Sequence, residues 1–185
     1  TIFANNRTSY RATIPPTHAS IHPHTAKDRN APRDDTNMEV RIDAHTSSQK
    51  ETENLGIRVG DIIAFDTRIE VSDTGFIRSR HLDDKASIAC MYGAMLALSE
   101  SGLQPAQDCY FHISNYEEVG HGAATGFPSN IADLISIDMA VVAPQQTSDE
   151  YSVTICAKDS AGPYHMTLRR ELDSLAAKHN LRYST

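Results

Sequence analysis

Three things are scarce in this 185-residue chain: basic charge, cysteine and long apolar runs. The apolar runs extend only a few residues, far short of the ~20 that a membrane-spanning helix needs, and Thr1 to Asn6 lacks the basic-then-apolar pattern of a signal segment. Both absences argue against a membrane and for a cytoplasmic location. Seventeen Lys and Arg against 24 Asp and Glu leave a formal net charge of −7. No basic stripe is present, which argues against a nucleic-acid partner, since neutralising phosphates takes clustered Lys and Arg. The three cysteines, Cys90, Cys109 and Cys156, are odd in number, distant in sequence and set in apolar segments. That excludes a disulfide framework and a CxxC zinc site, and predicts reduced thiols in a core. There is no Gly-x-Ser-x-Gly elbow and no cysteine in a basic setting, so serine and cysteine nucleophile schemes have no support.

What remains is a globular composition, 39% hydrophobic and 22% charged. A chain this long makes one large domain or two small ones and is expected to bury roughly two-thirds of its unfolded surface. From residue 1 to 77 short strand-like runs alternate with turn residues: Tyr10 to Ile14, Met38 to Ala44, Asp61 to Phe65, Ile69 to Ser72 and Phe76 to Ser79. This spacing predicts a small all-β, barrel-like domain over 1–77. Its Pro-rich stretch from His18 to Asn37, with His18, His22 and His24, reads as a long loop. Beyond residue 77 the rhythm lengthens. Asp84 to Ser101 has apolar residues on nearly every face, the pattern of a buried helix, and Gly102 ends it. Strands are predicted at Cys109 to Ser114, Leu134 to Met139 and Tyr151 to Ala157, and a helix from about Met166 to His179. Such alternation predicts a partial α/β layer with a mostly parallel sheet over 78–185. Thr1 to Asn6 reads as a strand entering a turn and Leu181 to Thr185 as a strand beginning, so both ends read as cut edges.

The surplus of acid lies in this α/β part, which holds 13 acids and 8 bases against 11 and 9 in residues 1–77. Three acidic features fall at the ends of its elements: Asp83-Asp84 before the long helix, Glu117-Glu118 after a strand, and Asp138 at the end of another. In an open α/β sheet, ligands bind beyond the carboxyl ends of strands, so the three can converge. Each also has a plainer role, as a helix N-cap for Asp83 or Asp84 or an acidic first turn for Glu117-Glu118. Asp138 fits such a role least, because an unpaired carboxylate between Leu134-Ile135-Ser136-Ile137 and Met139-Ala140-Val141-Val142 would cost several kcal/mol unless donors or a cation met it. A pair of divalent ions about 3.5 Å apart gives every acid a task. Asp83 would bridge them, Glu118 and Asp138 would each complete one shell, and Glu117 would take a proton from a water made more acidic by the ions. That is a hydrolase site.

These same residues carry a resemblance. Ser79-Arg80-His81-Leu82-Asp83-Asp84-Lys85-Ala86, Tyr116-Glu117-Glu118-Val119-Gly120-His121-Gly122-Ala123 and Ser136-Ile137-Asp138-Met139 resemble the tetrahedral and glutamyl aminopeptidases, a family of dinuclear metallopeptidases. Asp159-Ser160-Ala161-Gly162-Pro163-Tyr164 resembles the family's Gly-Pro segment, and residues 1–77 resemble the barrel inserted into its catalytic domain for subunit contact. The resemblance implies Asp83 as bridging ligand, Glu118 and Asp138 as ligands of one metal each, and Glu117 as general base. It implies two divalent ions, zinc or alternatively cobalt or manganese, short peptides as substrates, and homo-oligomers from dimers to twelve-subunit particles. It leaves the residues that bind substrate unknown. The family's His-x-Asp element before the barrel and its final metal-binding His have no counterpart here, which makes the chain resemble a middle fragment, inactive by itself.

The histidines present do not fill those places in sequence. His81 precedes an Asp already assigned to the bridge, His121 reads as a loop residue, and His165 and His179 read as surface positions. The trio His18, His22 and His24 has chelating spacing but lies in a polar, Pro-broken stretch that reads as solvated. Two other functions compete with the aminopeptidase. One is a non-catalytic assembly module of the same fold, and the other a glycoside hydrolase using Asp83 with Glu117, since the neighbours Glu117 and Glu118 cannot face each other across a bond.

Overall fold

In the computed structural model, which describes residues 1–20 and 22–185, the chain forms two units, Thr1–Arg80 and His81–Thr185. Ile21, inside the loop predicted over 18–37, lies outside the described residues. The first unit carries β1 (Ile2–Phe3), β2 (Ser9–Tyr10), β3 (Ala12–Thr13), α1 (Ala26–Arg29), β4 (Arg41–Ile42), α2 (Gln49–Asn54), β5 (Ile62–Ile63), β6 (Glu70–Val71) and β7 (Ile77–Arg78).

All strand pairs in this unit are antiparallel. β1 lies between β2 and β5, with Ile2 opposite both Tyr10 and Ile63. The pleat turns Ile2 inward and Phe3 outward, so Ile2 is 3% exposed and Phe3 51%. The turn into β2 is made by asparagine chemistry, as Asn6 Oδ1 accepts the Thr8 N–H at 3.0 Å and Arg7 takes φ +66°. β3 pairs with β4, and a bridge between Pro16 and Met38 prolongs the pairing to the mouth of the proline-rich stretch. That stretch is not all loop. Thr25 and Asp28 form a reciprocal capping box that starts α1, a single turn. β6 and β7 pair with Glu70 opposite Arg78, an ion pair at 2.7 Å.

The second unit holds α3 (Leu82–Ser101), a 3-10 turn at Glu117–Val119, β8 (Val153–Thr154), α4 (Met166–Lys178) and β9 (Tyr183–Ser184). β8 and β9 are parallel and α4 connects them, with Ile155 and Ala176 buried beside the pair. Gly102, at φ +67°, closes α3, where a left-handed residue is easiest for glycine.

Several expectations are corrected here. Cys109 to Ser114 and Leu134 to Met139 form no hydrogen-bonded ladder, because no described strand lies alongside them. The helix predicted as buried is α3, yet Ser87 is its one buried residue, and Tyr92, Met95 and Leu96 are exposed. Cys90, Cys109 and Cys156 are exposed rather than in a core: Cys90 and Cys109 sit on these same uncovered segments, and Cys156 lies just past β8. Apolar patterning foretells that a face wants cover and says nothing about what supplies it. Among the described residues no helix is long and apolar enough to cross a membrane.

Candidate active site

Helical geometry fails at the start of α3, and the failure places its acids. His81 is left-handed at φ +63°, and Asp83 and Asp84 have ψ of 108° and 37°, so the regular helix begins only after them. The peptide between the two aspartates is cis. Neither carboxylate caps the helix, which corrects the N-cap alternative. Instead Asp83, Asp84 and Asp138 each direct a carboxylate oxygen to one place, all within 4.8 Å of one another. Asp138 reaches it from the end of the extended stretch predicted as a strand, where the N–H of Met139 donates to its Oδ1 at 2.7 Å. Asp138 is exposed rather than buried in apolar surroundings, again because nothing described covers residues 134–142.

The sequence assigns no ligand role to Asp84, and the structure adds one. Its Oδ1 is buried and is the one such oxygen without a hydrogen-bond partner among the described residues. A buried carboxyl oxygen in that condition calls for a donor or a cation. Adjacent residues in a regular strand or helix do not share a target, and the irregular backbone at 83–84 is what lets both do so. The doublet itself was the signal available in sequence.

Glu117 and Glu118 open the 3-10 turn, which Tyr116 enters at φ +63° and Gly120 leaves at φ +78°. The N–H groups of Gly120 and His121 donate at 2.9 Å to Glu117 O and Tyr116 O. Gly122 fixes the turn against the preceding segment: at φ +90°, a Cβ there would lie 2.1 Å from Ser114 Oγ and 2.3 Å from Asn115 O. Glu118 is held above the ordinary carboxylate range, first by the charge of Asp83, then by loss of solvation, then by the charges of Glu117 and Asp138. The other three sequence-assigned acids thus act on Glu118, though neither Glu118 nor Glu117 joins the 4.8 Å group.

A neighbouring loop is organised by Asp159, which accepts the N–H groups of Ala161 and Gly162 at 2.6 and 3.2 Å and the hydroxyl of Tyr164 at 2.5 Å. That last bond, foremost, raises the Tyr164 phenol to about 12. Among the described residues His81 and His121 join no donor cluster, and the side chain of His165 caps α4 by accepting from the Leu168 N–H. The donor set suits a cation: three converging carboxylates, an orphaned oxygen, and a fourth acid whose proton affinity is raised by its neighbours.

Comparison with known proteins agrees with this chemistry. The sequence model of the M42 glutamyl aminopeptidase family matches residues 1–185. A protein of Bacillus subtilis (strain 168) named "Putative aminopeptidase YhfE" is 41% identical over 174 residues, 94% of this chain and 50% of the relative. The chain thus spans about half the length of that curated relative.

Proposed function

The chain belongs to the M42 glutamyl aminopeptidase family, and on that premise we propose that it contributes the acidic part of a dinuclear metallo-aminopeptidase acting on short peptides. The observation that carries this reading is the convergence of carboxylate oxygens of Asp83, Asp84 and Asp138, beside a buried Asp84 Oδ1 that has no hydrogen-bond partner among the described residues. Asp83, Glu118 and Asp138 would hold two divalent ions, zinc or alternatively cobalt or manganese, with Asp84 added to the candidate ligands. Such ions, when bound, polarise a peptide carbonyl and make a water more acidic. Glu117, whose charge acts on its neighbour Glu118, would be the base that accepts a proton from the attacking water and returns it to the leaving amine. The surrounding negative charge favours a substrate that presents a protonated α-amino group, which suits an exopeptidase.

The architecture proposed with this function is a barrel-like inserted domain over 1–77 and a partial, mostly parallel α/β layer over 78–185. A cytoplasmic homo-oligomer, from dimer to dodecamer, follows the family resemblance. Among the described residues no imidazole joins the carboxylate cluster, so residues 1–185 alone should hold zinc weakly and be inactive by themselves. That favours, as a second reading for the isolated chain, an assembly module of the same fold. Membership of a peptidase family removes the case for glycoside hydrolysis.

Zinc and cobalt binding and hydrolysis of aminoacyl chromogenic substrates test the proposal, measured on this chain and on a chain completed with the segments of the Bacillus subtilis relative that it does not match. Metal-dependent cleavage by the completed chain is expected. A completed chain that binds metal yet cleaves no peptide overturns the aminopeptidase reading.

A further inference from the structure

The proline-rich stretch of the first unit holds a second donor cluster, of different chemistry. His18, His24 and Asp28 each offer a ligand atom, and these atoms lie within 4.8 Å of one another. His18 Nδ1 is 2.9 Å from Asp28 Oδ1, and the rings of His18 and His24 stack with centroids 4.6 Å apart. With metal–ligand bonds of about 2.1 Å, neighbouring ligands on a tetrahedral ion are ~3.4 Å apart, so the His18–Asp28 pair already stands near that spacing.

The cluster is built, not casual. Its entrance is closed by the Pro16–Met38 bridge and by the Thr17 N–H donating to Asn37 O at 2.9 Å, which fixes the backbone immediately before His18. Asp28 is fixed from the other side, its Oδ2 accepting the Thr25 N–H at 2.9 Å and the Thr25 hydroxyl at 2.7 Å. That division leaves Oδ1 for His18 or an ion. A carboxylate held by outer hydrogen bonds beside two imidazoles is the arrangement by which proteins orient metal ligands. Imidazole donors select zinc, cobalt, nickel or copper over calcium and magnesium.

We propose that His18, His24 and Asp28 form a structural site for one zinc-class divalent ion, made of other residues than the carboxylate centre, that ties His18 to the Thr25–Asp28 turn. A solvent molecule completes the shell, since three protein ligands leave one tetrahedral position open. Closing the loop from His18 to Asp28 with a metal restricts the unfolded chain and adds to the hydrogen bonds that already hold this turn.

Calorimetric titration with zinc chloride tests this in the whole chain carrying Asp83→Asn and Asp138→Asn, which weaken the acidic centre. One zinc per chain is expected to remain. His18→Ala with His24→Ala should weaken its binding about 100-fold or abolish it, and Asp28→Asn should weaken it ~10-fold. His22→Ala, outside the cluster, should leave it unchanged. In the unsubstituted chain, the imidazole resonances of His18 and His24, and not those of His22, should shift with the first equivalents of zinc. The proposal is overturned if the double histidine variant titrates like its parent, or if half-saturation needs millimolar zinc in every variant, the mark of an adventitious ion only.

Discussion

The shifted acids of the two units differ in kind. In the first unit Asp28, Asp34, Glu51 and Asp66 are all held below the ordinary carboxylate range, each by donors facing it: Thr25, Thr36, Ser47 and Arg11 respectively. In the second unit Asp149 and Asp159 behave likewise, fastened by the Tyr151 N–H and the Tyr164 hydroxyl, but Glu118 moves upward because its neighbours are other acids. An acid among donors closes turns and ladders, whereas acids facing acids raise the free energy of the folded chain until a proton or cation arrives. The difference separates structural carboxylates from a site, and the net charge of −7 alone hides it.

The largest expected effect breaks this comparison at its functional end. In the completed chain described above, Glu117→Gln should lower kcat by about 10²–10⁴-fold while zinc content stays the same, because it removes a proton acceptor and no proposed ligand. Retention of kcat within a factor of about two would assign the base elsewhere. The next effect is on stability. Ile2 lies inside the β2–β1–β5 sheet, 3% exposed, so Ile2→Ala should cost ~2–4 kcal/mol in urea unfolding of the isolated chain. Ile137, 49% exposed in the second unit, should lose less than about 1 kcal/mol on the same substitution. Equal losses would mean that the two apolar surfaces are covered alike.

Much of this was legible because turn chemistry is local. Asn5-Asn6, Asp73-Thr74-Gly75 and Ser101-Gly102 fall at turns or a helix end, and strands β4 to β7 lie inside runs read from alternation and β-branched residues. Asp83, Glu117, Glu118 and Asp138 were legible as acids at predicted element ends. Asp84 was not, because its role follows from an irregular backbone step that no pattern of period two or 3.6 encodes. Nor was the capping box that orders the proline-rich stretch, where proline count outweighed the Thr25-to-Asp28 spacing. The ladders expected at 109–114 and 134–139 failed for another reason: alternation describes one strand, and a ladder needs two.

Gly122 joins local geometry to the site. Gly122→Ala would place a methyl 2.1 Å from Ser114 Oγ at φ +90°, so a loss of ~1–3 kcal/mol is expected, with faster amide exchange at Gly120 and His121, whose N–H groups close the turn. Exchange that changes only in the first unit would disconnect Gly122 from the Glu117–Glu118 turn.

The smallest effect sharpens the comparison at its structural end. Arg11 donates to both oxygens of Asp66, from Nη1 to Oδ1 at 2.8 Å and Nη2 to Oδ2 at 2.5 Å, and also reaches the Thr1 hydroxyl at 2.9 Å. The pair is exposed, so Arg11→Ala should lower Tm by no more than about 3 °C near neutral pH. Its sign with pH is fixed by linkage. Because Arg11 lowers the native Asp66 pKa, the stabilisation is present above the unfolded value near ~3.9 and disappears as pH falls through the lower native value. The Tm difference between the parent and Arg11→Ala should therefore shrink from about pH 5 to about pH 2, and shrink at neutral pH when salt is raised. A difference that stays constant through acid would show that Arg11 acts by packing its methylenes rather than by holding the Asp66 charge.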